Sequence, residues 1–134
     1  MPWQVVRLER GPVEGSVTFA TLGLNFYRLK STGSATVIRH ELLMLARNGA
    51  IPGNLPALLH QIAADAVSRG RAYLRGEVIG PRNRLFPGTE LTALYVAIPV
   101  YFPDTFNSID GVIFAWLVPI TTKEAAFVLA EGWT

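Results

Sequence analysis

The chain has 134 residues, half of them hydrophobic and 16% charged, a balance that suits one globular domain with a buried core and excludes a disordered polyelectrolyte. Twelve basic residues against ten acidic ones leave a net charge of +2, too little for the dense basic stripe of a nucleic-acid-binding surface. The absence of cysteine removes disulfides and thiolate metal sites, and no apolar run approaches the roughly 18 residues that cross a bilayer.

Met1-Pro2-Trp3-Gln4 carries no basic segment followed by an apolar stretch, so the expectation is a soluble, cytoplasmic domain. Val5 to Glu9 is short and mixed in polarity, as an edge strand would be. Ser16 to Leu29 alternates imperfectly and predicts two strand pieces, broken near Gly23 by a bulge or a close backbone approach. Ser31-Thr32-Gly33-Ser34 reads as a turn, which makes a hairpin of the second piece and the next run. Ala35 to Arg47 fits helical and strand spacing about equally, and residue propensity over Glu41 to Ala46 favours helix.

Asn48 to Gly53 is a loop, and Asn54 then caps the clearest helix, with Pro56 in its first turn. Leu55, Leu58, Leu59, Ile62, Ala63, Ala66 and Val67 form one continuous stripe along it, and Gly70 ends it. Between Arg71 and Thr92, five glycines and prolines leave room only for a short strand at Gly76 to Ile79. Ala93 to Phe102 is a strongly apolar strand with Pro99 at a bulge or an unpaired edge. Val112 to Val118 is rich in β-branched and aromatic residues, which suits a strand buried on both faces, and Pro119 is expected to stop its ladder. Thr121 and Glu124 are spaced as a capping box, opening a helix that runs to Glu131 and closes on Gly132. The elements add to a mixed α/β domain of the α+β class. A mostly antiparallel central sheet lies under two main helices, about 54–70 and 121–131.

Chemistry is sparse. His40 and Glu41 are neighbours, but adjacent residues of a strand point to opposite faces. His60 and Asp65 lie too far round their helix to meet. No metalloprotease, nucleophile-elbow or phosphate-loop motif occurs, so no catalytic residue, cofactor or metal is expected. The remaining candidates are loops. Pro81 to Phe86 combines Arg82 and Arg84 with Phe86, which needs cover from the fold or from another molecule. Asp104 and Asp110 flank Phe106 close to Tyr101, and could either cap turns or form an acidic and aromatic lip for a protein partner. The candidate interface is therefore Arg82, Arg84, Phe86, Tyr101, Asp104, Phe106 and Asp110. The alternative is an enzyme or small-ligand domain with a dispersed site, for example Glu41 meeting Asp104 across the sheet.

The pattern Trp116-Leu117-Val118-Pro119-Ile120-Thr121-Thr122-Lys123-Glu124-Ala125, followed by Gly132-Trp133, resembles the C-terminal part of the suppressor-of-fused domain family. Gly15 to Asn25, His40 to Leu45 and Leu94 to Phe106 resemble the same family in the same order. The resemblance implies strand rather than helix for Ala35 to Arg47. It also implies a regulatory binding domain without catalysis: sequestration of a transcription factor in the animal members, and neutralisation of polymorphic toxins by bacterial relatives acting as immunity proteins. This single-domain chain resembles the bacterial kind, so the expected partner is a protein, such as a toxin domain. The animal contact positions do not align with this sequence and are not carried over. Relatives usually continue past this C-terminus with a further acidic segment, which implies that the single domain 1–134 is trimmed or naturally short.

Overall fold

The computed structural model describes residues 3–9, 14–30, 37–82, 84–97, 108–109 and 112–131. The strands are β1 Gln4–Leu8, β2 Ser16–Leu22, β3 Leu29–Lys30, β4 Val37–Arg47, β5 Val78–Ile79, β6 Leu91–Ala97, β7 Ser108–Ile109 and β8 Val112–Thr121. The helices are α1 Leu55–Arg69 and α2 Thr122–Glu131, with a single 3-10 turn at Leu24–Phe26. The sheet runs β1-β2-β4-β8-β6-β5, with β3 beside the start of β4 and β7 beside the start of β8. Among the described residues every strand-to-strand pairing is antiparallel except the central one, β4 with β8, where Arg39 to Leu43 lie level with Val112 to Trp116. This is the α+β architecture expected. The turn at 31–34, Pro99 and the closing Gly132 lie outside the described residues.

Alternation decides which face each residue serves. Leu42, Met44 and Ala46 of β4 join Val17 and Phe19 of β2, Leu94 and Val96 of β6, and Ala115 and Leu117 of β8 in the main core. The α1 stripe of Leu55, Leu59, Ile62, Ala63 and Ala66 closes over it. On the opposite face Ala125 and Val128 of α2 cover Ala93, Tyr95 and Ile120. Glu41, Leu43 and the residues between them and Met44 are all buried, which a strand flanked by β2 and β8 allows and a surface helix would not. That position overrides the helix propensity of the run.

Two local expectations change. Pro119 does not end β8, which continues to Thr121 opposite β6. β4 pairs with β8 only as far as Trp116, so a residue without an N–H is accommodated where that side of the strand has lost its neighbour. Nor is β8 buried on both faces, because Ile113 is exposed and Phe114, Trp116 and Val118 are half-buried; the α2 cluster reaches only the far end of the strand.

Helix punctuation is partly as read. Gly70 ends α1 in the left-handed region at φ 71°, its N–H returning to Ala66 and Val67 carbonyls. Asn54 does not cap α1 through its side chain; its Nδ2 instead donates to the Leu85 carbonyl at 2.7 Å, tying the 84–86 loop to the helix start. The capping box of α2 is formed in both directions, Thr121 N–H to Glu124 Oε1 at 2.8 Å and Glu124 N–H to Thr121 Oγ1 at 3.1 Å. Thr121→Ala is expected to lower the unfolding free energy by about 1 kcal/mol, seen as an earlier urea midpoint at unchanged slope. Among the described residues no helix is long and apolar enough to cross a membrane.

Candidate functional site

An acid in the middle of an apolar strand must find donors, because burying an unpaired carboxylate is prohibitively costly. Glu41, 4% exposed, finds them where β2 ends. Thr21 Oγ1 donates to its Oε1 at 2.6 Å, and Leu24 N–H to the same oxygen at 3.2 Å. Gly23 N–H and Asn25 N–H, each at 3.1 Å, converge on Oε2, together with the Asn25 side-chain amide. Three successive backbone N–H groups closing on one anion form a nest. Its first residue must be left-handed, and Gly23 sits at φ 106°, where a side chain would be strained.

Outer contacts fix this turn further. Arg39 donates through Nε to the Asn25 carbonyl at 3.2 Å and through Nη2 to Asn25 Oδ1 at 3.3 Å. Leu42 N–H donates to Thr21 Oγ1 at 2.9 Å. Leu24 is fully buried as the turn's anchor. The consequence lies on its outside: Phe26 is 77% exposed and Leu22 58% exposed, on a segment whose conformation is held by a buried carboxylate. Arg28 and Lys30 follow, both exposed, and the segment 22–30 contains no acidic residue. The turn therefore presents two apolar side chains with a basic flank.

His40, next to Glu41 in sequence, serves the other face. Its Nε2 accepts the Tyr73 N–H at 3.1 Å, while Nδ1 has no hydrogen-bond partner among the described residues. Burial drives its pKa down from 6.5 to about 4, against the weaker raising effects of its own backbone carbonyl and Glu41. Accepting through Nε2 and uncharged at neutral pH, it pins the chain leaving α1. Tyr73 is the common wall of two clefts. One, about 350 Å³, is polar and lies between α1 and β5; the other, about 310 Å³, is mostly apolar and opens beside Ile113 and Ala97. Among the described residues no cluster of three metal-ligating side chains occurs.

The family model for suppressor of fused protein matches residues 1–134. The chain belongs to the suppressor-of-fused family. Among curated proteins none matches. A suppressor-of-fused homolog from Neisseria gonorrhoeae superposes with a TM-score of 0.75 at 14% identity over 96% of this chain. A chain of the Sufu–Fu complex crystal structure superposes with a TM-score of 0.65 at 17% identity, again over 96% of this chain. The chain spans 64% of the length of each. At these identities the likeness establishes the suppressor-of-fused fold.

Within this suppressor-of-fused domain the residues singled out from sequence do not form one surface. Phe86 is 4% exposed and packs in the main core, so the fold itself supplies its cover and it is not a surface anchor. Arg82 and Arg84 are exposed, paired at 3.2 Å with Asp65 and Glu90 respectively. Tyr101, Asp104, Phe106 and Asp110 lie outside the described residues. Glu41 is committed to the turn at 21–25. In the sequence Glu41 reads either as a neighbour of His40 on the opposite strand face or as a carboxylate meeting Asp104 across the sheet. The signal for its real role was present, a lone acid in His40-Glu41-Leu42-Leu43-Met44 opposite the turn-prone Thr21-Leu22-Gly23-Leu24-Asn25.

Proposed function

We propose that this chain is a non-catalytic protein-binding domain of the suppressor-of-fused type, and that it acts as a bacterial immunity-like protein that occupies and neutralises a protein partner. The observation that carries the reading is the Glu41-held turn with Phe26 on its outside. An aromatic side chain carried on a backbone turn already held in one conformation binds with less ordering cost than one on a flexible loop, which favours its use as an interface anchor. Its partner would offer an apolar pocket with an acidic rim, complementary to Arg28 and Lys30. Arg82 and Arg84 remain proposed flanking contacts, with Tyr101, Asp104, Phe106 and Asp110.

Support for the family part of this reading comes from the suppressor-of-fused match and from a relative solved as a Sufu–Fu complex. Support for the bacterial setting comes from the Neisseria gonorrhoeae homolog. The non-catalytic part is supported by how the two buried titratable groups of β4 are engaged, each bonded to backbone of its own chain.

The test uses the product of the neighbouring reading frame as partner. Phe26→Asp is expected to weaken its binding by roughly 30-fold or more, the scale of one interface hot spot. Phe127→Asp, on the exposed face of α2 at 62% exposure, is the control and should bind as the parent does. Co-expression should show growth protected by the parent and by Phe127→Asp, and lost with Phe26→Asp. Equal binding by Phe26→Asp would remove the turn from the interface; a harmless neighbour product would remove the immunity role.

A further inference from the structure

The polar cleft between the end of α1 and β5 is lined by two cations and two anions, but they are not equivalent. Arg82 is held by Asp65 at 3.2 Å, and the Glu77 carboxylate accepts the Leu74 N–H. Arg69 differs from both. Its guanidinium lies 4.4 Å over the ring of Tyr73, and it has no ion pair or hydrogen bond among the described residues. Stacking occupies one face of the planar group and leaves its N–H edge open, the edge that takes a carboxylate in fork geometry. The Tyr73 hydroxyl likewise has no hydrogen-bond partner among the described residues and is not a sealed buried atom.

We propose that this cleft is a carboxylate-binding site, with the Arg69 guanidinium as its cation, the Tyr73 ring as the platform that orients it and the Tyr73 hydroxyl as a second donor. The volume of about 350 Å³ accommodates a small acid or one acidic side chain of a larger molecule. Charge selects among anions. With Asp65 and Glu77 in the same wall, the lining is neutral overall, so a monoanion gains from Arg69 while a phosphate dianion is repelled by both carboxylates. Burial, the main influence on the Tyr73 phenol, raises its pKa against the lowering pull of Arg69, so the hydroxyl is protonated and able to donate at neutral pH. The site stands independently of the Phe26 surface.

Amide and arginine side-chain NMR shifts are to be followed at constant ionic strength, with acetate and the amide of N-acetylglutamate as probes and the amide of N-acetylglutamine as the uncharged control. Saturable shifts of the Arg69 side chain and of residues 65–82 are expected with both acids and not with the control. Tighter binding of acetate assigns the ligand to free small acids, and tighter binding of the glutamate derivative to an acidic chain; either supports the site. Arg69→Gln is expected to weaken binding roughly tenfold or more, the loss of a charge-assisted hydrogen bond. Arg69→Lys keeps the charge but not the fork and should fall between. Tyr73→Phe leaves the platform and removes one donor, for a loss of roughly fivefold. Absence of a saturable shift with either acid would overturn the proposal. So would an equal response to the glutamine control, tighter binding of inorganic phosphate, or unchanged binding by a folded Arg69→Gln.

Discussion

Glu41→Ala is expected to destabilise the domain by roughly 3–5 kcal/mol, since it strips the acceptor from several N–H groups that stay shielded from water. Three backbone N–H groups, the Thr21 hydroxyl and the Asn25 amide all end on this one carboxylate. Orphaning a buried donor costs about 1–3 kcal/mol, and partial relaxation of the turn into solvent keeps the sum below simple addition. Against a typical total of about 5–15 kcal/mol, the loss is a large share of the fold's stability. Glu41→Gln is the sharper experiment. It preserves size but turns an NH2 group toward N–H donors, so about 2–3 kcal/mol should be lost. Its second effect is on display: with the nest unfilled, Phe26 loses its fixed setting, and partner affinity should fall even at temperatures where the domain remains folded. Chemical denaturation and binding measured on the same Glu41→Gln sample separate the two effects. A variant as stable as the parent would show that the turn is held by something other than Glu41.

The same carboxylate shows where reading a sequence succeeds and where it stops. Local punctuation was legible, because it depends on residues only a few positions apart. The Thr121–Glu124 capping box, the α1 stripe and the Gly70 cap all formed. The strand at Val37–Arg47 was not legible from spacing, since Leu42 and Leu45 serve a helix as well as a strand; the family resemblance chose strand. What propensity cannot hold is that this run lies between β2 and β8 with its centre buried, where both ladder edges are filled.

Long-range partners were harder still. Asn54 reads as a cap, yet its amide goes to Leu85, 31 residues away. That bond helps seat the loop that carries Phe86 into the core, so an aromatic residue that looks exposed between prolines and arginines is a packing residue. Exposure ran the other way at Phe26, an aromatic residue of the imperfectly alternating run from Ser16 to Leu29 that stands 77% exposed. The glycine at 23 breaks the strand into a 3-10 turn and sends Leu24 inward and Phe26 outward. Gly23 was noticed as a break, but the anion that completes its nest comes from β4, and pairing of that kind is written in three dimensions.

Acid should destabilise the domain through His40 across a defined window. In the folded chain burial holds the imidazole near pKa 4, while an unfolded chain titrates it near 6.5. Above pH 6.5 both forms are neutral and the histidine adds no pH dependence. As pH falls below 6.5 the unfolded chain takes up the proton first, so stability drops with falling pH until about 4, where the folded histidine also protonates and its loss levels off. The full difference amounts to about 3 kcal/mol, at about 1.4 kcal/mol for each pKa unit. Protonation also removes the acceptor for the Tyr73 N–H, so the segment from Ala72 to Tyr73 should loosen in the same range, visible as faster amide exchange at Tyr73. The comparison that isolates the histidine is with His40→Gln. That variant offers an amide oxygen to Tyr73 and cannot titrate. It should be less stable than the parent at pH 7, by roughly 1–2 kcal/mol for an imperfect refill of a packed site, yet lose less on acidification to pH 4.5. The two stability curves should therefore converge as pH falls. Parallel curves would mean that His40 is charged, or already solvated, in the folded chain, and that the Tyr73 N–H is held by another acceptor.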